Sequence, residues 1–284
     1  MRGSFVLTPK SMVPVSPLAR VSLAWPTLGV LLGCFFLWFT TIAGGIAGWL
    51  PGWVCVILAS AAAFAAFTPM HDAAHQAIGD RPWLNQGVGR LAGLFLWAPF
   101  PAFRYVHLEH HKHVNEPGLD PDYYSGSGAR WALPFRWGTQ DLFYYRCFFK
   151  GRHSLGEEME VALTLVVIWG GAVALSLMGF GTEVLLLWFL PARIASALLS
   201  FSFDYLPHHP HQVLGRENRF KATSVFLNSW LTPLFLYQNY HLVHHLFPAV
   251  PFYRYGKVFE HKKGWLEAND ASLLYLEDFK WRNS

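Results

Sequence analysis

Four long apolar runs limit what this chain can fold into. They cover approximately Ser22–Ile42, Gly52–Pro69, Val161–Met178 and Thr182–Leu206. A helix needs about 20 apolar residues to cross the hydrocarbon core of a bilayer, and each run is close to that length. Residues 44–51 join the first two runs, and Gly179-Phe180-Gly181 joins the last two. Both joints are short and carry no Lys or Arg, so each pair reads as a tight helical hairpin. Charged residues make up 14% of the chain, against about 25% in a soluble domain. The 13 Trp, 11 Tyr and 24 Phe suit the aromatic belts that line membrane interfaces.

Charge sets the expected orientation. Every Lys and Arg except Arg193 lies in residues 1–20, 71–160 or 207–284. The positive-inside rule therefore places both termini and the central loop in the cytoplasm. The expected fold is an all-α integral membrane protein, with four transmembrane helices in two hairpins and a cytoplasmic cap rich in His. Two further apolar stretches, Val88–Phe103 and Thr223–Tyr237, are interrupted by Pro99, Pro101 and Pro233. They are expected as interfacial helices on the cytoplasmic face. A fifth or sixth span would put Arg90 or Lys221 near the wrong side. Residues 1–20 read as a flexible cytoplasmic tail without a cleavable signal pattern, residues 21–265 as one domain and residues 266–284 as a C-terminal tail. The net charge of +4 forms no basic block, which argues against nucleic-acid binding. Cys34, Cys55 and Cys147 lack the spacing of a zinc ribbon or disulfide framework and read as packing residues.

The histidines carry the chemistry. None of the 14 lies in the first 70 residues. On a helix, residues i, i+3 and i+4 share a face. His71 and His75 have that spacing, as do His107, His110 and His111, and again His241, His244 and His245. A further cluster, His208-His209-Pro210-His211, follows the fourth run. One such pair means little, because a single His at a helix end is more often hydrogen-bonded structure than a ligand. Four clusters on one side of an apolar bundle mean much more. Imidazole suits Zn, Cu, Fe and Ni, and nine ligands are too many for one ion, which implies two metals.

The three boxes His71–His75, His107–His111 and His241–His245 resemble those of the membrane fatty acyl desaturases. The segments around them are similar to the cyanobacterial-type β-carotene hydroxylases: 107–115 followed by Asp120-Pro121-Asp122, then 203–208, then 238–248. The similarity runs from about residue 65 to 260. It implies two irons held almost entirely by His, O2 as oxidant, and a separate electron donor such as a ferredoxin or cytochrome. It also implies an extra His ligand after the fourth span, with a polar residue one turn earlier, and His208 and Asp204 fit those places. The expected ligands are His71, His75, His107, His110, His111, His208, His241, His244 and His245, with His211 as an alternative to His208. Asp204 reads equally as holder of a metal-bound water or as an interfacial carboxylate.

Asp72 and Glu109 are candidates to accept the second N–H of a ligating His, against plain solvent-facing charges. Asn239 reads as supporting the ligands or as a helix cap. Asp120 and Asp122 bind nearby basic residues or orient ligands. His113, His153 and His261 read as surface residues. Arg193, inside the fourth run, pairs within the bundle or lines a substrate path.

The implied activity is O2-dependent oxidation of an unactivated C–H bond in a lipid-soluble substrate, foremost hydroxylation of a carotenoid β-ionone ring. Fatty acyl desaturation is the alternative. A membrane zinc hydrolase needs only about three protein ligands and leaves most of the His unexplained. A metal transporter calls for polar residues along the spans, which hold almost none.

Overall fold

A computed structural model describes residue 16 and residues 18–279. The first two runs form α1 (Trp25–Ile46) and α2 (Gly52–Ala74). They are followed by α3 (Pro82–Leu96), α4 (Phe100–His113) and α5 (Gln140–Lys150). Next come α6 (Leu155–Leu175) and α7 (residues 181–208). Helical structure is nearly continuous over the 54 residues Leu155–His208. It breaks at Gly179, whose φ of 100° suits glycine alone, so α6 and α7 are separate arms. Short helices α8 (His241–Leu246) and α9 (Tyr255–Ala268) complete the described chain. By length and composition α1, α2 and the α6–α7 stretch can each cross a membrane.

α2 lies at the centre, packed against α1, α3 and α7. Its Ala59, Ala62, Ala63 and Ala66 are buried, and such small side chains let helix backbones approach closely. Two indoles tie α7 to its neighbours. Trp38 Nε1 donates to the Leu187 carbonyl at 2.8 Å, and Trp188 Nε1 donates to the Leu94 carbonyl at 2.9 Å. Wide π-type turns at Leu185–Phe189 and Ser200–Tyr205 reset the register of α7 before its last residue, His208. Turns of this kind recur at functional sites.

The two stretches expected as interfacial helices differ from expectation. Val88–Phe103 is split between α3 and α4 at Trp97, which has left-handed backbone. Pro99 and Pro101 explain the break, since proline lacks an N–H and disfavours helical backbone in the residue before it. Ala98 N donates to the Gly93 carbonyl at 3.0 Å. A Cβ on Gly93 would lie 2.3 Å from Ala98 O, so the corner requires glycine. Thr223–Tyr237 forms no interfacial helix. Val225–Phe226 (β1) pairs in parallel with Leu273–Leu274 (β2), and only one helical turn, Leu231–Leu234, follows. The partner strand lies nearly fifty residues away, out of reach of any local pattern.

The stretch expected as a tail from residue 266 packs on the body as far as Phe279. β2 belongs to it, the Phe279 side chain is buried, and Asn228 binds Glu277 and the Leu276 N–H. Most of the N-terminal tail lies outside the described residues, while Ala19 accepts a 2.7 Å hydrogen bond from Arg254.

Arg193 pairs with Asp141 on α5 at 2.7 Å, with both side chains largely shielded. Breaking a shielded pair strands one charge, whereas removing both partners does not. R193L alone is therefore expected to lower the thermal midpoint in detergent more than R193L/D141L. Equal or greater loss in the double variant would contradict this.

Candidate metal centre

Each box projects from the end of an element that meets the others at one level. The last turn of α2 carries His71 and ends at His75. α4 carries His107, His110 and His111, α7 ends at His208, and α8 carries His241, His244 and His245. The structure brings all nine together, eight of them in two groups of four and His111 between the two. The first is His71, His75, His107 and His244; the second is His110, His208, His241 and His245. Within each group the candidate ligand atoms lie within 4.8 Å of one another, and His111 joins His244 and His245 in a third such set between them.

The contacts involve Nε2. These atoms are 3.0 Å apart in His71–His244, 2.7 Å in His75–His107 and 2.9 Å in His111–His244. In the second group they are 2.9 Å apart in His208–His241, 3.1 Å in His241–His245 and 3.3 Å in His110–His245. An imidazole nitrogen has one in-plane direction, filled by a proton or by a lone pair. His244, His241 and His245 each face two neighbours through that one atom, which pairwise hydrogen bonds cannot satisfy. Metal–nitrogen bonds of about 2.0–2.1 Å would set adjacent ligand atoms roughly 3 Å apart, so the donor set fits metal ions.

The groups behind the ring nitrogens are only partly those expected. Asp120 is the main one. It accepts from His110 Nδ1 at 2.8 Å, from the Asp122 N–H at 2.8 Å and from the Asn115 N–H at 2.7 Å. This bond holds His110 with its proton on Nδ1 and Nε2 turned to the cluster. Burial disfavours a charged His110 ring, but Asp120 and Asp122 outweigh it and raise its pKa to about 9 in the metal-free protein, so a metal bound at Nε2 must displace a proton there. Burial also lifts the Asp122 carboxyl to about 6, despite the opposing pull of His110. Tyr144 donates to Asp122 at 2.6 Å and lies 3.3 Å from Asp204. His244 Nδ1 lies 3.0 Å from Tyr255 Oη. No sequence signal marks Tyr144 or Tyr255, since neither sits in a motif.

Three expected supporting residues face elsewhere. Asp72 accepts from Thr27 Oγ1 at 2.8 Å and from the Phe252 N–H at 3.2 Å, tying α1 and the 252 segment to α2. Glu109 points outward to Lys112 and His113. Asn239 donates to the Phe226 carbonyl at 2.9 Å, fastening β1 and capping no helix. Asp204 lines a cavity of about 70 Å³ together with His107, His241, Phe67, Phe103 and Phe203.

Among the remaining His, His211 stays outside the groups and packs against Tyr123. His153 is not a solvated residue: its side chain is 2% exposed and stacks on Phe148. His113 sits between Glu109 and Glu116, and His261 is exposed.

Long apolar helices with buried histidine groups able to hold metal at one end define a membrane-type metal-binding protein. The model of the fatty acid desaturase family matches residues 47–275, and the chain belongs to that family. It is 28% identical over 251 residues to a beta-carotene ketolase of Paracoccus sp. (strain PC1), covering 87% of this chain and 92% of that protein. It is 25% identical over 295 residues to the sn-1 oleoyl-lipid 12-desaturase of a Synechocystis species, covering 93% and 81%. A zeaxanthin 4-ketolase of Chlamydomonas reinhardtii is 28% identical over 198 residues, 67% of this chain and 40% of that protein. By name these relatives are oxidoreductases, two ketolases and a desaturase, and this chain is an enzyme of the same membrane desaturase family.

Proposed function

We propose that the protein inserts one oxygen atom of O2 into a C–H bond of a carotenoid, foremost by hydroxylating its β-ionone ring. The observation that carries this reading is the paired four-histidine arrangement, bordered by a cavity that Phe67, Phe103 and Phe203 help to line. The reaction balances as substrate C–H, O2, two electrons and two protons giving the alcohol and water. The nine histidines would hold two irons, and that pair would supply the oxidising chemistry. The chain's own residues position the rest. Asp120 and Tyr255 fix ring orientation at His110 and His244. Phe67, Phe103 and Phe203 keep water from the reacting carbon and hold an apolar group against the histidines.

In this reading α1, α2, α6 and α7 each cross the bilayer, and the termini and histidines face the cytoplasm. A separate ferredoxin or cytochrome delivers the electrons. His111 and His245 support this, because both border an outward cleft of about 260 Å³ that also holds Lys112, Arg216 and Arg219.

Expression in a bacterium that accumulates β-carotene, with His110→Ala as control, tests the reading. Hydroxylated pigment, absent in the control, is the expected result. A ketone at the same ring would place this chain's product with those named for the Paracoccus and Chlamydomonas relatives. Unchanged pigment in iron-loaded, electron-supplied cells would overturn the carotenoid assignment. The second reading is acyl-lipid desaturation, favoured by the likeness to the Synechocystis desaturase along 93% of the chain. New double bonds in membrane lipids would establish it. A zinc hydrolase would leave most of the nine converging imidazoles without a role.

A further inference from the structure

Two apolar recesses flank the inner cavity beside the histidines. One lies between α2 and α7, closed on its third side by residues 233–236, with a volume of about 640 Å³. The other lies between α3 and α6, at about 320 Å³. We propose that the α2–α7 groove is the bed for the hydrocarbon body of the substrate, and that Phe203, backed by Phe64 and Phe235, is the gate deciding which carbon passes to the histidines. This rests on the carotenoid reading above.

Three observations point to the first recess. Stacked aromatic rings stand between it and the inner cavity, and the two share no lining residue. Phe203 lines the inner cavity, while Phe64 and Phe235 line the groove. The centroid of Phe203 is 5.6 Å from Phe64, 5.5 Å from Phe235 and 5.4 Å from Phe67, and Phe67 stacks on His71 at 5.4 Å. A turn of Phe203, with Phe64 and Phe235 giving way behind it, would open the groove onto the cavity that His71 and His107 line.

The groove's chemistry also suits a long hydrocarbon. Ile57, Leu198 and Leu234 line it while remaining half exposed or more, an apolar surface open to the side of two membrane-length helices. The α3–α6 recess is half the size, and the Arg90–Glu160 ion pair borders it at 2.6 Å. A charged pair there disfavours a hydrocarbon guest.

The third observation is Ser60, on the groove wall. Its residue is 7% exposed, and its hydroxyl has no hydrogen-bond partner, although serine in a helix commonly returns its proton to the carbonyl one turn back. The Ser60 oxygen is shielded from the groove, and Ser202, the other serine on the wall, donates to the Leu198 carbonyl at 2.6 Å, so the surface the bed offers a guest is almost wholly apolar.

The test uses the full chain, expressed in the β-carotene-accumulating host and purified in detergent. Metal per chain, pigment retained per chain and pigment products are measured. Ala61 and Ile57 line the groove at exposed positions, so A61W and I57W fill it without touching a histidine. Both are expected to keep wild-type metal content while retained pigment and product fall at least about tenfold. L163W, in the α3–α6 recess, is expected to match wild type. F203L is expected to keep its metal and to change the ratio of oxidised positions. Wild-type pigment retention in A61W and I57W, with or without loss in L163W, would overturn the groove assignment while the carotenoid reading stands. A wild-type protein that neither retains nor oxidises pigment would overturn the carotenoid reading, and this inference with it.

Discussion

Replacing His244 with alanine is expected to disrupt both halves of the histidine cluster at once. His244 is fully buried, and its Nε2 lies 3.0 Å from that of His71 and 2.9 Å from that of His111. It belongs to the first four-histidine group and to the set that includes His111 and His245, so its loss removes a donor where the two halves meet. Mutating even an outer partner of a metal ligand costs about 10–100-fold in metal affinity or activity. Loss of the ligand should cost at least roughly the upper end of that range. Metal per chain is expected to fall to half of wild type or less, with helical circular dichroism preserved. Y255F, which removes only the hydroxyl beside Nδ1, should fall within the 10–100-fold range or below it. Full metal content and activity in H244A would contradict the assignment.

Asp120→Ala is the second large effect. The Asp120 side chain is almost inaccessible and accepts from three donors: His110 Nδ1, Asn115 N and Asp122 N. Each buried donor left without a partner costs about 1–3 kcal/mol, so a loss on the order of 3 kcal/mol or more is expected. His110 would also lose the bond that fixes its orientation. Thermal unfolding should shift well downward, and metal affinity should drop by about 10–100-fold. D120N keeps an acceptor oxygen and should retain more of both. A D120A protein with unchanged unfolding and metal retention would show that the aspartate does not hold the centre.

The contrast between Asp120 and Glu109 shows what was legible in the sequence. The nine histidines could be read because helical spacing alone places i, i+3 and i+4 on one face, and the boxes follow long apolar runs. Which carboxylate backs a ring depends instead on loop geometry. Glu109 lies inside a box, yet helical rotation turns it outward to Lys112. Asp120 lies ten residues past His110, and a turn of the chain brings it back. Asp72 makes the same point: its place in the first box says nothing of Thr27 or Phe252, to which it bonds.

Long-range pairing also explains the other differences. The apolar stretch from Thr223 to Tyr237 had helix-like composition, but its backbone partner is β2. Arg193 was recognisable as an internally paired or path-lining charge, and Asp141 as its partner emerges only from the packing of α5 on α7. His208 is the ligand the sequence puts first, with His211 left as an alternative. The end of α7 directs His208 to His241 at 2.9 Å, while His211 packs on Tyr123.

The central claim is that nine histidines form one centre for two irons. Metal analysis of the purified chain, paired with Mössbauer spectroscopy of iron-57-labelled protein, tests it most directly. The account predicts close to two irons per chain, in nitrogen-rich surroundings and magnetically coupled to each other. One zinc per chain, or a single isolated iron, would contradict it.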